Sequence, residues 1–247
     1  MSEIHYLNII IIFIAAGLVK GVTGMGLPTV AMGLLGTFMP LPMAAALLII
    51  PSLVTNVWQL FSGPALTALW SRLWLMMLCI VAGTLAGSTF LISIDAGVSG
   101  FLLGAALIVY AAYALYAPVF TVTKKQERWL SPVIGASTGI ITGATGVFVM
   151  PAVPYLQTLN FSKDELVQTL GLSFTVSTLA LAAGLYAQDA YHLNQLSLSL
   201  FSVLPALIGM WLGQKIRSKI SAKTFRKCFL LFLILLGLEL TLRPLLF

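Results

Sequence analysis

Gly17-Leu18-Val19-Lys20-Gly21-Val22-Thr23-Gly24-Met25-Gly26-Leu27-Pro28 lies inside an apolar run extending from Ile4 to Phe38. A continuous membrane helix has little use there for four glycines, a proline and a lysine. Non-helical backbone at membrane depth is tolerated where it is buried in protein or lines a wet cavity. A charge at that depth marks a functional site by default. The stretch therefore reads as a deliberate break and as half of a substrate site. A related stretch returns at Gly135 to Pro151.

The surrounding composition supports that reading. The chain has 247 residues, of which 60% are hydrophobic and 8% charged, with a mean hydropathy of +1.04. Soluble domains carry roughly 25% charged residues, so this is an integral membrane protein. The net charge of +6 does not point to nucleic acid. Its basic residues gather in two connections, Thr121 to Leu130 and Gln214 to Lys227, as the positive-inside rule requires of cytoplasmic loops. The N-terminal run lacks the basic start and the cleavage site of a signal peptide and is expected to be part of the mature protein. Cys79 and Cys228 fall inside apolar segments and read as inert thiols.

Apolar segments of the ~20 residues needed for a crossing recur along the chain. After Ile4–Phe38 come Pro42–Phe61, Leu73–Ile94 and Ala96–Phe120. Beyond the basic connection 121–129 follow Leu130–Leu159, Glu165–Ala187, Leu193–Gly213 and Phe225–Leu246. The two sets match in order. Gly24-Met25-Gly26 meets Gly143-Ala144-Thr145-Gly146, with Lys20 opposite Thr138. Pro40–Asn56 runs beside Ser162–Thr178 at an offset of 122, and Gly83–Gly87 beside Gly209–Gly213 at an offset of 126. The expected fold is an all-α polytopic membrane protein of about eight apolar segments. It consists of two repeats, 4–120 and 130–246, joined by a cytoplasmic connection, 121–129.

Loop charge sets the relative orientation of the repeats. If 130–159 crossed once, the two basic connections would face opposite sides of the membrane. The conflict disappears if this long segment crosses an even number of times. At ~1.5 Å per residue, two half-depth limbs around a Gly-Thr-rich turn suit its length better than two full spans. The same rule applied to 4–38 puts both termini outside. The repeats are then inverted copies, each opening with a Gly/Pro-broken or re-entrant segment followed by three transmembrane helices. In secondary transporters of this plan the broken segments meet near the midplane.

The residues Gly21-x-x-Gly24-x-Gly26, Pro28, and the second copy Gly139-x-x-x-Gly143-x-x-Gly146 followed by Pro151 resemble the sulfite exporter TauE/SafE family. The resemblance spans nearly the whole chain. It implies a permease for a small anion such as sulfite, sulfoacetate or another sulfonate, in a bacterial inner membrane. The chain departs from the commoner glycine triplet of that family, with Gly26-Leu27-Pro28 and Gly146-Val147-Phe148 in its place.

The residues themselves point to an anion. A helix starting at Leu27 or Pro28 turns free N–H groups and the positive end of its dipole toward the break. The second copy offers the same near Gly146. Thr23, Thr142 and Thr145 add hydroxyls beside Gly24, Gly26, Gly143 and Gly146. Lys20 supplies positive charge, unless it snorkels to the interface. The glycines have a second reading, close helix packing. Asn56, Gln59, Gln168 and Ser173 carry polar groups into the second segment of each repeat, as pathway lining or interhelical glue. Glu239 and Arg243, four apart, read as an interfacial pair, and Asp95, Asp189, His5 and His192 as interfacial residues. An enzyme lacks the clustered bases or metal ligands it would need, and a cation permease would be repelled by the basic interior. A non-transporting subunit would leave the lysine and the breaks without purpose. No cofactor is implied, and nothing in the sequence decides between a monomer and a homodimer. The absence of mid-span carboxylates in the first seven segments favours export driven by membrane potential.

Overall fold

The computed structural model describes residues 3–116, 121–190, 193–217, 219 and 221–246. The described residues are 85% helix, with no strand among them. The helices are α1 (Glu3–Thr23), α2 (Leu27–Leu35), α3 (Leu41–Leu60), α4 (Leu66–Ser93), α5 (Ala96–Tyr116), α6 (Lys124–Thr145), α7 (Ala152–Gln157), α8 (Lys163–Ala187), α9 (Leu193–Phe201), α10 (Val203–Arg217) and α11 (Ala222–Leu246). Among the described residues, six helical stretches are long and apolar enough to cross a membrane, with α1, α3, α4, α5 and α8 among them. This is a polytopic membrane protein.

Both long segments break where the glycines cluster, but not into two half-depth limbs. α1 has 21 residues and α6 has 22, each about 30 Å long at 1.5 Å per residue. Their returns are short, since α2 has nine residues and α7 only six. α6 reaches back to Lys124 because a capping box starts it there: Thr123 accepts from the Gln126 N–H, and Gln126 answers on the Thr123 N–H. Charged residues on its first turns do not oppose a helix. The Leu193–Gly213 segment is likewise divided into α9 and α10 around Ser202.

Contacts at the two ends of the bundle fix the path of the chain. At one end Arg72 binds Glu127 through both carboxylate oxygens, at 2.6 and 2.7 Å, and donates to the Leu159 carbonyl at 3.2 Å. The Val122 N–H meets the Thr158 carbonyl there as well. At the other end Gly36 to Leu41 sit with Ala96, Gly97 and Arg243 around one cavity. The starts of α4 and α6 and the end of α7 thus share the face that carries the basic connections. The α2–α3 turn, the start of α5 and the end of α11 share the opposite face. Each broken segment goes out and comes back.

Helix pairs form across the halves of the chain. α1 packs along α10, α4 along α6, α3 along α8, and α5 along α11. Glycines set the first two contacts. A Cβ on Gly17 or Gly21 would stand 2.1 Å from the Ala206 or Met210 carbonyl, and one on Gly135, Gly139 or Gly143 2.3–2.4 Å from the Met76, Ile80 or Thr84 carbonyl. Backbone approach of this kind supplies the packing that apolar burial cannot supply among lipid tails.

Pro51 lies inside α3, which continues through it. Its missing N–H leaves the Leu47 carbonyl without an intrahelical donor. The Ser199 hydroxyl of α9 donates to that carbonyl at 2.8 Å and accepts from the Ile50 N–H at 3.1 Å, so a neighbouring helix satisfies the gap. The expected Glu239–Arg243 pair does not form. Arg243 donates instead to the Thr37 carbonyl, tying α11 to the α2–α3 turn. Both cysteines are free, Cys79 half-buried and Cys228 exposed on α11. Asp95 is exposed at the α4–α5 turn, and His192 lies outside the described residues.

Candidate functional site

Lys20 lies on α1 one turn before the first break and is 4% exposed. Its ammonium donates to Asn56 Oδ1, and at 3.1 Å to Thr55 Oγ1. Both acceptors are neutral, and among the described residues no carboxylate pairs with Lys20. Snorkelling is therefore not its role: the side chain turns inward onto α3. Asn56 Nδ2 in turn donates to Thr178 Oγ1 of α8 at 3.3 Å. Taking an ammonium out of water costs several kcal/mol, and neutral acceptors repay only part of that. The interior of the bundle thus holds a lysine amine whose hydrogen-bond partners are both neutral.

Unpartnered hydroxyls are buried on the helices that carry these groups and on α6. Ser52 stands one turn before Asn56 on α3, and Ser173 and Ser177 lie on α8 beside Thr178. These three and Thr138 on α6 are buried, and their hydroxyls have no hydrogen-bond partner in the protein. Of the expected site residues, Lys20 and Asn56 are joined here, together with Thr55 and Thr178. Ser52 lies four residues before Asn56 on the same face of α3, and the expected Ser173 is buried on α8 five residues before Thr178.

The break glycines have conformational work to do. Gly24 and Gly26 have φ of +79° and +97°, and Gly146 has +72°, values open at little cost only to glycine. α2 starts at Leu27 with Pro28 in its first turn and no side-chain cap, so its first N–H groups stay free toward the break. The second copy differs. After Gly146 the chain runs irregularly to Pro151, and α7 begins only at Ala152, so no helix N-terminus faces Gly146. The two breaks do not coincide either. A Cβ on Gly146 would stand 2.7 Å from Met32 Cε, and Met32 lies about 9 Å of helix beyond Gly26.

Five expected site side chains bond the backbone instead, and a sixth expected residue, Gly143, packs against it. The Thr23 hydroxyl faces the Val19 and Met25 carbonyls at 2.9 and 2.7 Å, folding the first break. Thr142 and Thr145 donate to the Thr138 and Ile141 carbonyls, both at 2.7 Å. Gly143 is a packing glycine against α4 rather than part of a break. Gln168 closes the inner end of α3: its amide donates to the Leu60 and Gly63 carbonyls at 2.9 and 2.6 Å, and its oxygen accepts from Ala65 N–H at 2.9 Å. These carbonyls are the orphans left where α3 stops. Gln59 clasps the break, donating at 3.0 Å to both the Gly24 and Val167 carbonyls.

This polar group, one turn from the first glycine break, is set in a chain whose residues 9–240 match the family model for the sulfite exporter TauE/SafE. The chain belongs to the sulfite exporter TauE/SafE family. That family consists of membrane permeases rather than enzymes. Comparison with curated proteins and with solved structures returned no match.

Proposed function

We propose that this TauE/SafE protein is a secondary permease for a small anion, namely sulfite or a sulfonate such as sulfoacetate. One observation carries the reading: a buried ammonium, Lys20, meets only the neutral oxygens of Thr55 and Asn56. An anion docked there supplies the missing counter-charge, and Ser52, Ser173 and Ser177 offer it hydroxyl donors. Lys20 binds the charge, while Asn56 holds Lys20 in place and ties α3 to α8.

The halves 4–120 and 130–246 act as inverted repeats about this centre. The Asn56–Thr178 hydrogen bond supports this, because it joins two positions related by the repeat offset of 122. So does the exchange of partners between α1–α10 and α6–α4. The basic connections place their face in the cytoplasm and both termini outside, in a bacterial inner membrane. Export follows from the physics: an inside-negative potential drives an anion outward by ~2.3 kcal/mol per charge per 100 mV.

The test is efflux from proteoliposomes loaded with labelled sulfite, sulfoacetate, taurine-derived sulfonates, lactate or sulfate under an imposed potential. Efflux of one anion, faster when the potential drives it out, is expected. No movement of any of them at any potential or pH gradient would overturn the reading.

A further inference from the structure

One turn beyond Lys20, a cavity of about 240 Å³ opens on the face of the basic connections. Thr23, Gly24 and Met25 of the first break form one wall, and Val167 of α8 another. Two guanidinium groups line it as well, Arg217 at the end of α10 and Arg226 on α11. Among the described residues neither arginine pairs with a carboxylate. Arg226 makes one long contact, 3.5 Å to the Ala114 carbonyl.

Gln59 of α3 ties two of the lining residues together. Its amide nitrogen holds the Gly24 and Val167 carbonyls at 3.0 Å each. Its carbonyl oxygen is buried without a partner. Gln59 is three residues after Asn56 on α3, so about 5 Å of helix separates this clasp from the ligands of Lys20.

We propose that the cavity is a second anion site, a loading site for a small oxyanion held by Arg217 and Arg226, with Gln59 clasping its wall on the way to Lys20. The inference rests on the permease reading for its purpose but not for its chemistry. Paired guanidiniums favour planar or pyramidal oxyanions, to which each presents a fork of donors. An anionic lipid headgroup offers the same oxygens. The wall formed by the break, which Gln59 ties toward the ligands of Lys20, favours the free solute.

The experiment is calorimetric titration of sulfite and of sulfoacetate into the full chain in nanodiscs of zwitterionic lipid. Lys20→Met removes the central charge, so binding that survives in that variant reports on the cavity. One anion per chain is the expected stoichiometry. Adding Arg217→Gln and Arg226→Gln to Lys20→Met should weaken binding about tenfold for each arginine removed. Adding Arg217→Lys and Arg226→Lys instead keeps the charge but loses the fork, and should weaken binding less than the Gln pair does. Each single Gln variant should show part of the loss, which covers the case in which the double variant fails to fold. No binding to Lys20→Met, or equal binding in the Gln variants, would overturn the loading site. So would loss of sulfite binding when phosphatidylglycerol replaces the zwitterionic lipid, which would assign the arginines to a headgroup. Wild-type efflux separates the two proposals: transport without binding to Lys20→Met removes only the loading site, and binding without any transport removes only the permease reading.

Discussion

Lys20→Met separates a substrate-binding charge from a structural strut, because the two roles predict opposite signs. Methionine nearly matches the length of lysine and removes the ammonium that faces Asn56 and Thr55. A hydrogen bond to a charged group contributes about 1.5–3 kcal/mol, so half-saturation for the anion should rise about 10- to 150-fold. Stability without anion should move the other way or not at all. The variant leaves Asn56 Oδ1 without its donor, which costs about 1–3 kcal/mol. It also relieves an ammonium whose desolvation costs several. The melting temperature of anion-free Lys20→Met should therefore equal or exceed that of the wild type. Sulfite at a hundred times its dissociation constant should stabilise the wild type by about 2.7 kcal/mol, or about 5–10 °C in melting temperature. Most of that gain should be missing in Lys20→Met, leaving the weaker loading site. Scanning fluorimetry and proteoliposome efflux on the same preparations read both quantities. Wild-type efflux from Lys20→Met would remove Lys20 from the site. A lower melting temperature with no anion, and efflux reduced only in proportion to folded protein, would make it a strut.

Two glycine variants should fail in different ways. Gly24→Ala meets no atom within 4 Å and bears only the left-handed backbone cost of about 1–2 kcal/mol, so the protein should fold and efflux should fall. Gly143→Ala places its Cβ 2.4 Å from the Thr84 carbonyl and should destabilise the α4–α6 pair by about 1–3 kcal/mol, seen as a lower melting temperature. Arg72→Ala strands the buried Glu127 carboxylate. Because Arg72 is itself partly exposed, the loss should be about 1–3 kcal/mol rather than the 3–5 of a fully buried pair, read as a lower melting temperature. Cysteines at Asp95 and Lys124 should react with an impermeant maleimide from opposite sides of the membrane. Labelling of both from one side would contradict the path of the chain.

Much of this architecture was legible because glycine, proline and lysine are conspicuous in an apolar chain. Both breaks fall where the glycines cluster, α2 begins at the expected Leu27, and Lys20 points inward. What the sequence hid depends on neighbours distant in the chain. Nothing local distinguishes Gly143, a packing glycine, from Gly146, a break glycine; the difference is the α4 backbone beside one and the positive φ of the other. Thr23, Thr142 and Thr145 resemble substrate donors until their own helix carbonyls take their hydrogens. Gln168 has the chemistry of a ligand, yet the abrupt end of α3 engages all of it. The Arg217–Arg226 cavity was hidden because loop charge had already been assigned to topology. Thr123 and Gln126 did carry a readable capping signal that extends α6 into the basic connection.

The glycine seam between α1 and α10 also constrains how the protein is made. Gly17 and Gly21 rest on the Ala206 and Met210 backbone, and Ala206 lies 189 positions after Gly17. At roughly 5–20 residues per second of synthesis, α1 waits about 10–40 s in the bilayer before its partner leaves the ribosome. During that interval its glycine face is available to any other helix with small residues. A nascent chain stalled before α10 should therefore be the form that insertion chaperones and membrane proteases encounter most.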